Sequence, residues 1–195
     1  MDAAAQYALA YSLTTAAGVR AGLSLALVAV ATHFSLLHPP GPFVWLASPV
    51  AMWILIVVAC AEIAADKVPF LDHALHFAQI AVKPAAAAII VGGTIHEQSQ
   101  SMLIFLMVVG ALNALGVHAG VASVRGASTL TTAGLANPAI STVEDAGTFG
   151  SVVLAFIAPY LTAIVAVCFT IALAIFGRAA FLRLRAVRTP RAGPR

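Results

Sequence analysis

Seven acidic residues occur in the 195-residue chain, and four of them fall within or at the edge of apolar runs. Glu62 and Asp66 are one helical turn apart and would share a face. Glu144 and Asp145 are adjacent. Charge at membrane depth is costly and marks a functional site by default. Four such carboxylates have two kinds of chemistry open to them. They can form a hard-oxygen site for a divalent cation, or relay protons where packing favours the neutral acid. Asn137, Ser141 and Thr142 add neutral oxygens to that set. Asp72 and His76, spaced i,i+4, would extend it to a zinc or manganese site with Glu62 or Asp66.

Each group also has a local reading. Asp66 can pair with Lys67 at a helix end, and Glu144 with Asp145 can complement a helix dipole. Asp72 and His76 suit the polar side of an amphipathic helix at the interface. Arg20, the deepest cation, is either a counter-ion to the acids, a ligand for an anionic headgroup, or a snorkelling arginine at the start of a span. His118, in the same apolar run as Asn113, reads as a buried histidine bonded to a neighbouring helix. No HExxH, GxSxG, P-loop or CxxCH motif occurs, so no enzyme is expected. No cofactor is certain; a divalent metal ion is the one candidate.

The elements that must position these residues follow from composition. Hydrophobic residues make up 62% of the chain and charged residues 9%, against about 25% charged in soluble domains. That excludes an ordinary cytosolic enzyme, a nucleic-acid binder and a disordered chain. The apolar residues form long runs, which predicts an all-α polytopic membrane bundle. Cys60 and Cys168 sit inside such runs and form no disulfide framework.

The first run extends from about Tyr7 to Phe34, interrupted by Gly18 and Arg20. It is either one long helix or a short surface helix followed by a span. His38-Pro39-Pro40-Gly41-Pro42 marks a loop. The second span opens at Ser48-Pro49 with a cap and a first-turn proline. A third follows Lys83-Pro84, with a possible break at the proline. The fourth covers 101–124, and Arg125 to Ala136 reads as a loop. Residues 139–176 would reach about 57 Å as one helix, nearly twice a core of about 30 Å. A turn near Pro159 would divide them into two spans and give six in all. Five, with one kinked helix, is the rival. With six spans Lys67, Lys83, Arg125 and the arginine tail face one side, as the positive-inside rule asks. Both termini would then be cytoplasmic in a bacterial inner membrane.

Leu46-Ala47-Ser48-Pro49 and Leu135-Ala136-Asn137-Pro138 match at an offset of 89 residues. Each opens the middle span of a three-span half, which predicts two inverted three-helix repeats, 1–100 and 101–177. Glu62 lies 13 residues after Pro49, about 20 Å along its helix. Glu144 lies 6 residues after Pro138, about 9 Å along a helix of opposite sense. All four acids would then reach one depth, nearer the cytoplasmic side. A basic tail, 178–195, carries Arg178, Arg183, Arg185, Arg188, Arg191 and Arg195 and suits anionic lipid headgroups. The lipid bilayer is the expected environment, a homo-oligomer is open, and no nucleic-acid partner is expected. The function expected is a small cation transporter or channel. A lipid- or partner-binding scaffold without transport is the alternative.

Ala17-Gly18-Val19-Arg20-Ala21, Trp45-Leu46-Ala47-Ser48-Pro49, Glu62 through Pro69 followed by Asp72, and Asn137-Pro138 followed by Ser141 and Glu144-Asp145 form a set. It resembles a bacterial family of small integral membrane proteins, the domain of unknown function four-one-two-six. The resemblance covers about Gly18 to Phe176. It implies a membrane location and a helical fold, and no activity. The acidic blocks also resemble, at altered spacing (Glu62-x-x-x-Asp66-Lys67), the E-x-G-D-K-T signature of a cation–proton exchanger family.

Overall fold

The structure, a computed structural model, describes residues 1–66, 69–97 and 99–188. Within these, the side chains of 69–76, 180–181 and 183–188 lie outside the described set. The regular elements among the described residues are all helical: α1 Ala3–Val19, α2 Ala21–His33, a 3₁₀ segment Gly41–Ala47, α3 Pro49–Ala65, α4 Pro69–Thr94, α5 Gln100–Thr132, α6 Asn137–Ile157 and α7 Pro159–Arg188. The all-α expectation holds.

The first apolar run is neither of the two forms expected for it. Arg20 alone adopts an extended backbone, φ −136° and ψ 97°, between two helices. Its N–H closes α1 on Ala16 O at 2.8 Å, and its C=O opens α2 by accepting from Ser24 N at 3.1 Å. The chain folds back there. Met1 and Gln6 share a small cavity with Leu36, Leu37 and His38, so the start of α1 and the segment after α2 lie at one end of the bundle. The physical reason is burial. Leu9, Leu13, Ala17 and Gly18 of α1 are buried, as are Ala21, Ser24, Val28 and Ala29 of α2. Helices apolar on every side belong in the middle of a bundle rather than along its surface. Accordingly α1 packs against α2, α4, α5, α6 and α7.

The remaining helices alternate in direction around this centre. Thr32 Oγ1 donates to Leu46 O at 2.8 Å at one end of the α2–α3 pair, and Gly22 N donates to Glu62 Oε2 at 2.7 Å at the other. Helix α7 runs parallel to α1: Tyr160 OH donates to Asp2 Oδ1 at 3.0 Å, and Tyr11 OH meets Thr170 Oγ1 at 3.4 Å. The start of α1 and the far end of α7 therefore lie at opposite ends of the bundle. This departs from the same-side placement that six spans would give.

Four described helices are long and apolar enough to cross a membrane: 77–94 within α4, α5, α6, and 159–179 within α7. The 3₁₀ segment and α3, bent by 70° at Ser48, make a fifth candidate together. These are the helices of a multi-pass membrane protein. The expected six spans do not appear in that count. The arithmetic failed at the first run, where two short helices, α1 and α2, turn back inside the bundle.

Three local expectations can be settled. The division at Pro159 is present: α6 ends at Ile157 and α7 opens at Pro159. Helix α4 is not broken at Pro84, which lies inside it. The loop expected from Arg125 is instead the last two turns of α5, which ends at Thr132 before a left-handed turn at Ala133 and Gly134. Serine and threonine hydroxyls there bond back to the preceding helical turn, Thr129 to Arg125 O at 3.0 Å and Thr132 to Ser128 O at 2.8 Å. The polar composition that suggested a loop is thus absorbed by the helix backbone.

Close approach is needed where α1 crosses α5. A Cβ placed on Gly18 would lie 2.6 Å from Val117 Cβ and 2.7 Å from Ala114 O, so only glycine fits. The common core joins Leu9, Leu13, Val28, Leu46, Ile90 and Val152.

Candidate functional site

At the α1–α2 turn the buried Arg20 side chain, 1% exposed, meets carboxylates from two other helices. Its Nη1 donates to Asp66 Oδ2, at the end of α3. From α6, Glu144 Oε2 lies 3.4 Å from Nη2, and Asp145 Oδ1 lies 2.8 Å from Nε. The Asp145 contact is an ion pair by distance, but the N–H is not aimed for a hydrogen bond. Arg20 Nη2 also donates to Ser141 Oγ at 2.8 Å and to Ser141 O at 3.3 Å. A second guanidinium closes the cluster from α5. Arg125 Nη2 donates to Asp66 Oδ2 at 2.9 Å and to Glu144 Oε2, and its Nε donates to Glu144 Oε1 at 3.1 Å. Planar guanidinium forks suit such shared, two-oxygen contacts.

Glu62 stands one helical turn from Asp66 and takes another role. Its Oε2 accepts from Gly22 N, near the start of α2, and its Oε1 accepts from Gln79 Nε2 of α4 at 3.2 Å. The four acids expected at one depth are thus gathered around one chain turn. The opposed directions of α3 and α6 bring them there, as the matched Ser48-Pro49 and Asn137-Pro138 openings implied.

Of the readings open for Arg20, the counter-ion reading describes its contacts. Asn137 does not join the cluster: its Nδ2 donates to Thr129 Oγ1 at 3.0 Å. Thr142 Oγ1 bonds back to Pro138 O at 2.9 Å. The side chains of Asp72, His76, Arg183, Arg185 and Arg188, and the whole of Lys67, Arg191 and Arg195, lie outside the described set. Among the described residues, no group of three or more His, Cys, Asp or Glu is arranged to hold a metal ion. The guanidinium groups stand on the oxygens that a metal would need.

Sequence reasoning passed over three contributors. Arg125 was assigned to a loop, although no proline interrupts the chain between it and the preceding apolar run. Lys83, which the positive-inside rule groups with the cations at one membrane face, lies inside α4 and is buried, 3% exposed, with Nζ 3.0 Å from His118 Nδ1. His118 is thus bonded to a neighbouring helix, as expected, through a buried lysine. Asn113 Nδ2 donates to Thr14 Oγ1 at 3.0 Å and to Thr15 Oγ1 at 2.9 Å, joining α5 to α1 above the cluster.

A cavity of about 620 Å³ adjoins the cluster, between α1, α5, α6 and α7. Its wall is almost wholly apolar, and Glu144 is the one charged side chain on it among the described residues. Val143 and Val165, 71% and 53% exposed, stand on the wall, so the cavity opens at the bundle surface between α6 and α7.

A helical bundle with several membrane-length spans and a buried knot of arginines and carboxylates defines the class: a small multi-pass membrane protein organised around a charged core. Within that class, the chain belongs to the family described as a domain of unknown function, DUF4126, whose model matches residues 7–179. No curated protein and no solved structure matches it.

Proposed function

We propose that this protein is a small membrane transporter in which the Arg20 cluster is a proton-operated switch that itself passes protons across the membrane. The observation that carries this reading is the sharing of Asp66 and Glu144 between two guanidinium groups at a one-residue helix junction. Arg20, Arg125, Asp66 and Glu144 come from four separate places in the chain, so the ion pairs tie α3, α5 and α6 to the α1–α2 turn. Protonating one shared carboxylate removes its attraction for both guanidiniums. That is a switch with two discrete states, biased by proton binding. Buried carboxylates inside membrane bundles commonly serve such relays.

A divalent cation is the second form of the transport reading. It would have to displace both guanidinium groups from the carboxylate oxygens, which favours the proton. Orientation follows from charge. The end bearing Arg125 and the start of the arginine tail is cytoplasmic by the positive-inside rule. The start of α1 then faces the other side of the membrane. The lipid-binding scaffold alternative rests on Arg20, the amphipathic helix and the arginine tail; Arg20 is engaged by carboxylates, and most side chains of the other two lie outside the described set.

The test is proton flux in vesicles containing purified protein and a trapped pH-sensitive dye. Wild type should dissipate an imposed pH gradient, and Glu144→Gln should not, while still eluting as wild type on size exclusion. Equal flux in both, or no protein-dependent flux in wild type, defeats the proposal.

A further inference from the structure

The cavity beside Glu144 has a chemistry of its own, and it names a substrate class for the site proposed above, on whose reading it rests. We infer that this cavity binds a lipophilic molecule with a hydrogen-bond-donating head, foremost a hydrophobic amine, taken up sideways from the bilayer. Four observations lead there. The volume, about 620 Å³, lies well within the roughly 300–1,000 Å³ of ligand pockets. The wall is apolar, so the body of the occupant is apolar. The opening past Val143 and Val165 faces what would be lipid, so an apolar molecule reaches it without crossing water.

The fourth observation concerns the head group. Ser12, Ser151 and Thr162, all on the wall, have already given their hydroxyl protons to the backbone oxygens of Ala8, Thr148 and Ala158 at 2.8, 3.0 and 2.9 Å. Their oxygens keep only lone pairs for a further contact. Thr148, also on the wall and 3% exposed, has no hydrogen-bond partner for Oγ1 among the described residues. Thr148 can therefore donate or accept, while Glu144, the one charged side chain on the wall among the described residues, only accepts. On balance the few polar groups of the wall favour a donor head over a carboxylate or phosphate head. An ammonium arriving at Glu144 would also compete with Arg125 for its oxygens, linking the cavity to the ion-pair cluster.

The test uses three probes with one chain length: dodecylamine, dodecanol and dodecanoate. Methyl NMR of the protein in lipid nanodiscs reports on Val143 and Val165 at the cavity. The exposed Ile54 and Val57 of α3 serve as references for simple partition into lipid. Dodecylamine and dodecanol should give saturable shifts confined to the cavity methyls, the amine at lower concentration. Dodecanoate should give none.

Gly147→Leu fills the cavity from α6. An added Cβ there meets nothing within 4 Å, and leucine improves helix propensity over glycine. It should weaken amine binding at least tenfold. Val143→Trp, at the mouth, is the second narrowing variant and should act in the same direction. A dodecanoate response equal to that of dodecylamine, or full amine binding in both narrowed variants, overturns the inference. Proton flux separates it from the underlying reading. Flux that depends on Glu144 without amine binding defeats the inference alone. Saturable amine binding without flux defeats the proton reading alone.

Discussion

Replacing Arg20 with methionine is the sharpest test of the charged core. The guanidinium is 1% exposed and touches Asp66, Glu144, Asp145 and Ser141. Methionine fills similar space and removes the charge. Three carboxylates would then face one remaining described guanidinium, that of Arg125. Removing one partner of a buried ion pair costs about 3–5 kcal/mol, because an uncompensated charge remains buried. For a chain of this length, 1 kcal/mol corresponds to roughly 2–4 °C in Tm. Arg20→Met should therefore melt about 10 °C below wild type. Arg20→Lys keeps the charge but loses the planar fork, and should fall between the two. Arg178→Met, at an exposed position, should stay within about 2 °C, as a surface change does. The assay is thermal unfolding in one mild detergent, followed by tryptophan fluorescence. An Arg20→Met protein that melts with the Arg178→Met control would show that the cluster contributes no stability, and the account of the α1–α2 turn would fall with it.

Two further outcomes follow from other contacts. Gly18→Val should lower Tm by several degrees, since its side chain must enter the space held by Val117 and the Ala114 carbonyl and overpacking costs about 1–3 kcal/mol; an unchanged melting curve would contradict the α1–α5 crossing. The Ala5 backbone N–H and the Tyr160 hydroxyl both donate to Asp2, and they hold its carboxyl below the usual aspartate range. Its contribution to stability is present above the unfolded-state value and is lost as pH falls through the lower folded-state value. A carbon-13 NMR titration of Asp2 that ends at or above the usual range would contradict the α1 cap.

What was legible in the sequence was whatever depended on helix sense and count of residues. Ser48-Pro49 opens α3 as expected, with Ser48 capping Ala51 N and the proline in the first turn; at α6 the first-turn proline is present, but the cap position is Ala136 and Asn137 does not cap. Opposite sense then placed Glu62 and Asp66 level with Glu144 and Asp145 by rise per residue alone. What was not legible depended on tertiary partners. The interruption at Gly18 and Arg20 is visible in the first run, but the fold-back there is not, because hydropathy sums over residues and cannot see that α1 and α2 are both packed inside the bundle. Arg125 was lost to a loop because serine and threonine look like loop composition, yet their hydroxyls can close onto helical carbonyls. Lys83 reads as a charge at one membrane face because nothing local announces His118 across from it.

The turn at Arg20 also explains why the acids cannot all have one purpose. A helix start inside an apolar bundle exposes backbone N–H groups that water cannot reach. Glu62 answers that need: it takes the Gly22 N–H and adds negative charge at the positive end of the α2 dipole. Asp66, Glu144 and Asp145 meet guanidiniums instead. Hydrophobic residues of similar volume would often hold a fold at least as well as buried ion pairs do. The charges beyond Glu62 are therefore not accounted for by the contact that Glu62 makes at the helix start.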